Sequence, residues 1–228
     1  MEKQKYNLCL QVLRRMDEKG ILNESILVGS WCIYLYQGYF DNKANLPPLR
    51  TRDLDFLFPV PFKLKHKVDL FELVKDLGFI LDYKGEQGYI TFQHPELILE
   101  FLVPARGKAK DKPFPIKQLG INAQSLRFMD ISFRAPIELF FGDVKVRIPH
   151  PADFALHKLL IAGRRKKTEK AQKDINQAVA VLTALRDCKQ SEGILDSYSA
   201  MPKTWQKTIF NKLLELEDEN LIKSIKQK

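Results

Sequence analysis

An α/β (α+β) fold, a mixed sheet flanked by helices and followed by a helical C-terminal domain, is what this sequence predicts. Three observations predict it. The stretch from Ser25 to Phe58 holds a short apolar run, a Gly-Ser turn, an apolar segment of helical length and a second strand. Three strand-like runs then follow closely between residues 79 and 103. At Pro149-His150-Pro151 the strand signals cease and helical periodicity takes over, which places a boundary between a core over residues 1–150 and a helical domain over 151–228.

In order, residues Glu2 to Lys19 read as an amphipathic helix with Tyr6, Leu10, Leu13 and Met16 on one face and Gly20 as its stop. Its expected role is to cover the sheet. Ile26-Leu27-Val28 is a strand, Gly29-Ser30 a tight turn, and Trp31 to Tyr36 a helix with Ser30 at its N-cap. Gly38 to Arg50, with Asn42, Asn45 and Pro47-Pro48, reads as a surface loop. The strand Asp53–Phe58 ends at Pro59-Val60-Pro61, and His66 to Leu77 reads as a helix stopped by Gly78. The runs Phe79–Tyr83, Tyr89–Gln93 and Leu97–Val103 are joined by connections short enough to make them antiparallel neighbours.

From Pro104 to Gln118 the chain is basic, with Arg106, Lys108, Lys110, Lys112 and Lys117 against Asp111, and reads as a loop. Ile137–Phe141 and Val144–Ile148 flank Gly142-Asp143 as a hairpin. Beyond the boundary, Ala152 to Ala162 and Thr168 to Arg186 are helices, separated by Gly163 and the cluster Arg164-Arg165-Lys166-Lys167, and the tail from Pro202 is helical.

Composition narrows the class. The 228 residues can bury a sizeable core, and 45% apolar residues is ordinary for a globular protein. Lys and Arg exceed Asp and Glu by 37 to 28, for a formal charge of +9. That surplus suits nucleotides or RNA as partners, and equally a surface kept basic for solubility. The scattered Cys9, Cys32 and Cys188 fit reduced thiols, no apolar signal core opens the chain, and no run approaches membrane-spanning length. The expectation is a soluble, cytoplasmic protein without a membrane partner. His150 and His157 are too few for a zinc site, no Ser-His-Asp set can be argued, and the glycines form neither a dinucleotide fingerprint nor a P-loop.

The chemistry resides in the first strand pair. Gly29 permits close backbone approach, and the N–H groups opening the following helix attract phosphate. Asp53 and Asp55 stand at alternate positions of a strand, so both face one side, about 6.6–7 Å apart along it, while Leu54 and Phe56 face a core. A phosphate cradle beside paired hard oxygen ligands is what a magnesium-bound nucleoside triphosphate needs. Glu100 is the one charge in the apolar strand Leu97–Val103, and an acid there needs a partner. It is read as a third metal-site carboxylate, against the alternatives that it pairs with a buried Arg or points out at a strand end.

With these residues laid out, the chain resembles the nucleotidyltransferase superfamily of the polymerase-beta type. Within it, the chain looks similar to minimal bacterial members related to abortive-infection toxins. The family pattern is an apolar strand, Gly-Ser or Gly-Gly, a helix, then acid–apolar–acid on the next strand; Val28-Gly29-Ser30 and Asp53-Leu54-Asp55 fit it. Glu100 within Leu99-Glu100-Phe101 fits the third carboxylate on a later strand. The resemblance implies that the three acids hold two Mg2+ or Mn2+ ions and that Ser30 and nearby backbone hold the triphosphate. Lys158, Arg164 or Arg165, and Lys173-Asp174 are similar to the basic helical residues with which toxin-type members grip the nucleotide. The gap between Gly-Ser and the aspartates is longer here than in the common form, and residues Tyr39–Arg50 account for it.

The implied activity is transfer of a nucleotidyl group to a hydroxyl acceptor on RNA, a protein or a small molecule. The rival class is a non-catalytic nucleotide- or RNA-binding protein, such as half of a toxin–antitoxin pair. A third is an unrelated α/β protein with solvated acids.

Overall fold

The structure is a computed structural model that describes residues 3–84, 88–105 and 113–226. The expected turn residues Gly85–Gln87 and the basic run Arg106–Lys112 lie outside the described residues. The chain divides into two compact units. One comprises residues 1–35 and 49–149, the other residues 36–48 and 150–228.

The first unit is built on a mixed sheet. Helix α1 (Lys3–Glu18) buries Cys9, Val12, Leu13 and Met16. The three buried residues of β1 (Ile26–Val28) pair antiparallel with β2 (Asp53–Leu57). Helix α2 (Trp31–Tyr39) follows the Gly29-Ser30 turn. The central neighbour of β2 is β5 (Ile98–Pro104), and that pairing is parallel. Outward from β5 come β4 (Tyr89–Gln93) and the edge strand β3 (Ile80–Lys84), both antiparallel, which gives the order β1-β2-β5-β4-β3. The short connections on either side of β4 dictate that geometry.

Two faces of the sheet have opposite chemistry. Phe101 on β5 lies 4.9 Å from Phe92 on β4 and 6.4 Å from Phe56 on β2 between ring centroids, and Phe71 reaches Phe92 at 5.3 Å. Phe71 belongs to α3 (Leu70–Val74), which therefore covers the aromatic face. On the other face, Ile26, Val28, Leu57, Leu102 and Met129 form an apolar cluster beyond the acids. Burying five such side chains contributes on the order of 2 kcal/mol each.

Several elements depart from the sequence expectation. The helix expected over 66–77 is only α3 and a single 3-10 turn at Lys75–Leu77. Asp69 sets its start, because its carboxylate accepts from the N–H groups of Phe71 and Glu72 at 3.0 and 3.2 Å, leaving His66–Val68 outside. The segment read as a basic loop to Gln118 contains β6 (Phe114–Ile116), which pairs with β7 (Ile121–Leu126). Strand β7 extends the sheet on β5, in parallel from Leu102 to Pro104, just past the part that β4 occupies. Pro113, Pro115 and the polar Asn122, Gln124 and Ser125 hid both strands. The hairpin β8 (Ile137–Phe141) and β9 (Val144–Ile148) forms as expected, as a separate two-stranded sheet.

In the second unit, α4 (Pro151–Ala162) and α5 (Thr168–Asp187) pair closely, and α6 (Ser191–Ser199), α7 (Lys203–Glu215) and α8 (Glu219–Ile225) complete it. His150 caps α4, its Nδ1 accepting from the N–H of Ala152 at 3.2 Å, with Pro151 at the first helical position where a missing N–H costs nothing. No helix among the described residues is long and apolar enough to cross a membrane.

Candidate active site

Strand register assembles the acids. Asp53 and Asp55 alternate with the buried Leu54 and Phe56, so they share the face opposite the aromatic core. In the parallel pairing Asp55 lies directly beside Glu100, which brings Glu100 to that same face on the next strand. The row continues across the sheet, from Val28 beside Asp55 to Thr91 beside Glu100 and Asp82 beside Thr91. All three acids are half-buried.

The Gly-Ser turn closes on this row. Gly29 has φ +75°, a conformation that side chains other than glycine's rarely adopt. A Cβ placed on it would sit 2.0 Å from Asp55 Oδ2, so the Asp55 carboxylate occupies the space that a side chain at residue 29 would fill. Ser30 is buried, and α2 begins immediately after it, with the N–H groups of Cys32 and Ile33 donating to the carbonyls of Gly29 and Ser30. Turn, helix start and acid are thus one packed unit.

Sequence reasoning missed four neighbours. Thr51 Oγ1 donates to Asp53 Oδ2 at 3.2 Å and accepts from the Asp53 N–H at 3.1 Å. Lys5 of α1 donates to the Thr51 carbonyl. Thr91, 1% exposed, accepts from Gln93 Nε2 on the face beside Glu100. Tyr89 lies near the same acids: burial, then the negative charges of Glu100 and Asp82, push its phenol above the usual range. Strand register brings Thr91 and Tyr89 to the acids, and hydrogen bonds bring Thr51 and Lys5, which lie outside the strands.

Among the described residues no three His, Cys, Asp or Glu side chains are drawn together into a cage that could hold a metal ion. The acids share a face and are not clustered. Their chemistry still fits a hard divalent cation of the magnesium type, which takes one or two carboxylates and completes its octahedron with water and substrate phosphate.

The predicted basic residues lie in the second unit. Lys158 is buried on α4, and its Nζ donates to Asp174 Oδ1 at 2.6 Å. Arg165 Nε donates to Asp174 Oδ2 at 2.7 Å, and Arg164 is exposed. Burial opposes ionisation of Asp174, but Lys158 and Arg165 outweigh it and hold the carboxyl below the usual range. Asp174 is therefore the counter-ion on which two of the three predicted cations converge. His157 adjoins this group. Burial and the charge of Lys158 push it down to about 4 against the pull of Asp174, and its Nε2 is buried with no partner among the described residues.

The described geometry is a mixed sheet with two acids on one strand, a third on its parallel neighbour and a Gly-Ser turn packed on the middle acid. The chain belongs to the nucleotidyltransferase family, whose model matches residues 7–201. Among solved structures it is similar to ANT(2″)-Ia in complex with adenylyl-2″-tobramycin, at 14% identity and a TM-score of 0.50, covering 86% of this chain and 98% of that one. It is also similar to the solution structure of the antibiotic-resistance factor ANT(2″)-Ia, at 14% identity and a TM-score of 0.49, covering 96% and 98%. A third is an antigenic nucleotidyltransferase-like protein from Paracoccidioides brasiliensis, at 14% identity and a TM-score of 0.48, covering 100% and 95%. At such identity the likeness concerns the fold. No curated protein matches the chain.

The packing of Gly29 on Asp55 makes a stability prediction. Gly29→Ala adds both backbone strain and a clash, so it should lower the melting temperature by several degrees, for a loss of about 2 kcal/mol or more. In an Asp55→Ala background the clash is gone and the loss should shrink by about 1 kcal/mol, measured as a double-mutant cycle by thermal unfolding. Equal losses in both backgrounds would show that the carboxylate does not occupy that space.

A pH prediction follows from His157. It is held neutral in the folded chain at a pKa of about 4, whereas the unfolded chain takes up the proton near pH 6.5. Its contribution to stability is therefore complete above about pH 6.5 and falls as pH drops from there toward 4. His150, also pushed down by burial, adds to the slope with the same sign. Melting temperatures of His157→Leu between pH 7 and 4.5 should fall less steeply than those of wild type, and an unchanged slope would contradict the assignment.

Proposed function

We propose that this protein transfers a nucleotidyl group from a nucleoside triphosphate to a hydroxyl acceptor, with divalent metal held by Asp53, Asp55 and Glu100. The observation that carries the reading is the lateral pairing of Asp55 with Glu100, on the face shared with Asp53, with Gly29 packed against the Asp55 carboxylate. Acids placed beside a phosphate-seeking helix start serve no polyanion-binding module unless a cation lies between them and the phosphate.

Asp53 and Asp55 would ligate both ions, and Glu100 would hold the one nearer the acceptor. When bound, Mg2+ or Mn2+ supplies charge stabilisation to the attacking and leaving oxygens of an in-line displacement. Glu100 helps remove the proton of the acceptor hydroxyl. That oxygen bonds to the α-phosphorus as the bond to the β-phosphate bridging oxygen breaks, and pyrophosphate leaves. Gly29 and Ser30 orient the β- and γ-phosphates through the start of α2. The neutralisation of triphosphate charge falls in this reading to Lys158, Arg164 and Arg165, an assignment that rests on the family pattern. The same reading makes residues 1–150 the catalytic core and 151–228 a helical domain, in a cytoplasmic protein.

RNA, a protein side chain and a small hydroxylated molecule are the acceptor classes. The deciding experiment incubates the protein with each α-labelled triphosphate, magnesium and total cellular RNA, protein or small-molecule fractions. Wild type should pass label to one fraction. Asp55→Asn should lose at least a hundredfold in transfer, together with the rise in melting temperature that magnesium or manganese gives wild type. A wild type that binds RNA tightly but transfers no label from any triphosphate would establish the non-catalytic binding protein, with a toxin–antitoxin role as its setting.

A further inference from the structure

Asp53 is the first residue of β2, and it follows an irregular connection that runs from the end of α2 to Arg52. The first residue of a strand frays most readily, and a long irregular approach adds to its freedom. A carboxylate that must hold a metal ion cannot keep its geometry there without a brace, because a ligand's orientation is set by the groups that hydrogen-bond it from behind.

Thr51 supplies the brace. The Thr51 hydroxyl makes two hydrogen bonds to one residue, donating to Asp53 Oδ2 at 3.2 Å and accepting from the Asp53 N–H at 3.1 Å. The β-branch of threonine narrows the choice of χ1, so the hydroxyl is presented in few orientations. Thr51 is itself held through its carbonyl, which accepts from Lys5 Nζ. The Lys5 ammonium also stands over the ring of Trp31, 5.9 Å from its centroid. Trp31 is the first residue of α2, directly after the Gly29-Ser30 turn, and is fully buried. One lysine on α1 therefore touches both arms of the candidate site, the entry to β2 and the start of α2. On the strand's other side, the Ile98 N–H donates to the Arg52 carbonyl at 2.9 Å and Arg52 Nη1 donates to the Pro95 carbonyl at 2.7 Å. Residues 51 and 52 are thus pinned from both sides, and of these bonds only those of Thr51 reach a metal-site carboxylate.

We propose that Thr51, braced by Lys5, is a positioning residue that fixes the Asp53 carboxylate for metal binding. The inference rests on the metal-dependent reading above. It gives α1 a role beyond burying its apolar face, since Lys5 carries the site's alignment onto a helix outside the strand–turn–helix motif. The hydroxyl leaves Asp53 Oδ1 and the second lone pair of Oδ2 for a cation. It selects one rotamer of the acid in advance, which lowers the ordering cost when the ion arrives.

The test measures Mn2+ binding directly, by loss of the free-ion paramagnetic resonance signal, in full-length protein with a non-hydrolysable triphosphate present. Thr51→Val keeps the shape and removes the hydroxyl; it should weaken Mn2+ binding roughly tenfold while the protein stays folded, its melting temperature without metal falling by only a few degrees for one lost backbone hydrogen bond. Thr51→Ser restores the hydroxyl and should recover binding to within about threefold, the remainder reflecting the looser rotamer. Lys5→Met keeps the stem and should weaken binding in wild type but add nothing in the Thr51→Val background, because it acts through Thr51.

Three results would overturn the proposal: Thr51→Val binding Mn2+ as wild type does, valine and serine losing equally, or Lys5→Met adding its full effect to Thr51→Val. Those outcomes leave the function reading intact. Wild type that binds no Mn2+ sinks the brace and the metal site together, whereas wild type that binds Mn2+ through Thr51 yet transfers no label sinks only the enzymatic reading.

Discussion

The Asp55 carboxylate lies so close to the Cα of Gly29 that no side chain fits between them, and much of the first unit follows from that approach. For the turn to reach the acid, β1 must end at Val28 level with Asp55, which the antiparallel register provides. The chain must then reverse through a positive φ, which glycine tolerates, and enter a helix at once. The partial positive charge of that helix start is held beside a carboxylate, a favourable pairing worth up to about 1 kcal/mol even without a ligand.

Stability and chemistry are divided between the two faces of one sheet. Phe56, Phe92 and Phe101 pack on one side, while Asp53, Asp55 and Glu100 alternate to the other. Because side chains alternate strictly, every acid is fixed by the burial of its neighbours: Leu54 and Phe56 cannot leave the core without turning Asp55 into it. A one-residue slip of β2 would cost the packing of Phe56 and turn two charges, Asp53 and Asp55, toward the core. The face bearing the acids is also divided, since the apolar cluster of Ile26, Val28, Leu57, Leu102 and Met129 occupies its far end. The acids thus stand at the edge of an apolar floor, where electrostatic interactions are stronger than in bulk water.

Much of this was legible in the sequence because it is local. Period-two alternation gave Asp53 and Asp55 a common face, and the Gly-Ser turn between apolar segments gave strand, turn and helix, with the helix running three residues further than expected. The short links around β4 gave its antiparallel pairings. What could not be read was what depends on which distant strands meet. The parallel pairing of β2 with β5 sets Glu100 beside Asp55, and no local pattern encodes it. Strand β7 escaped notice because half its residues are polar. The helix expected from His66 began late because Asp69 offers its own carboxylate to the backbone, a capping signal that apolar periodicity outweighed. That the Lys158 ammonium pairs with Asp174, about two helical turns into the next helix, could not be read either, since it depends on how two helices meet.

That parallel pairing has a consequence for how the molecule comes into being. Asp55 and Glu100 belong to strands separated by a helix and two further strands, and they meet only when a long loop has closed. Contacts of such sequence separation form late, after the entropy of closure has been met by burial elsewhere. A chain still emerging from the ribosome, or one with its sheet half assembled, has Asp53 and Asp55 in hand but not Glu100 beside them. The acid row therefore exists only once β5 has joined β2 in the sheet.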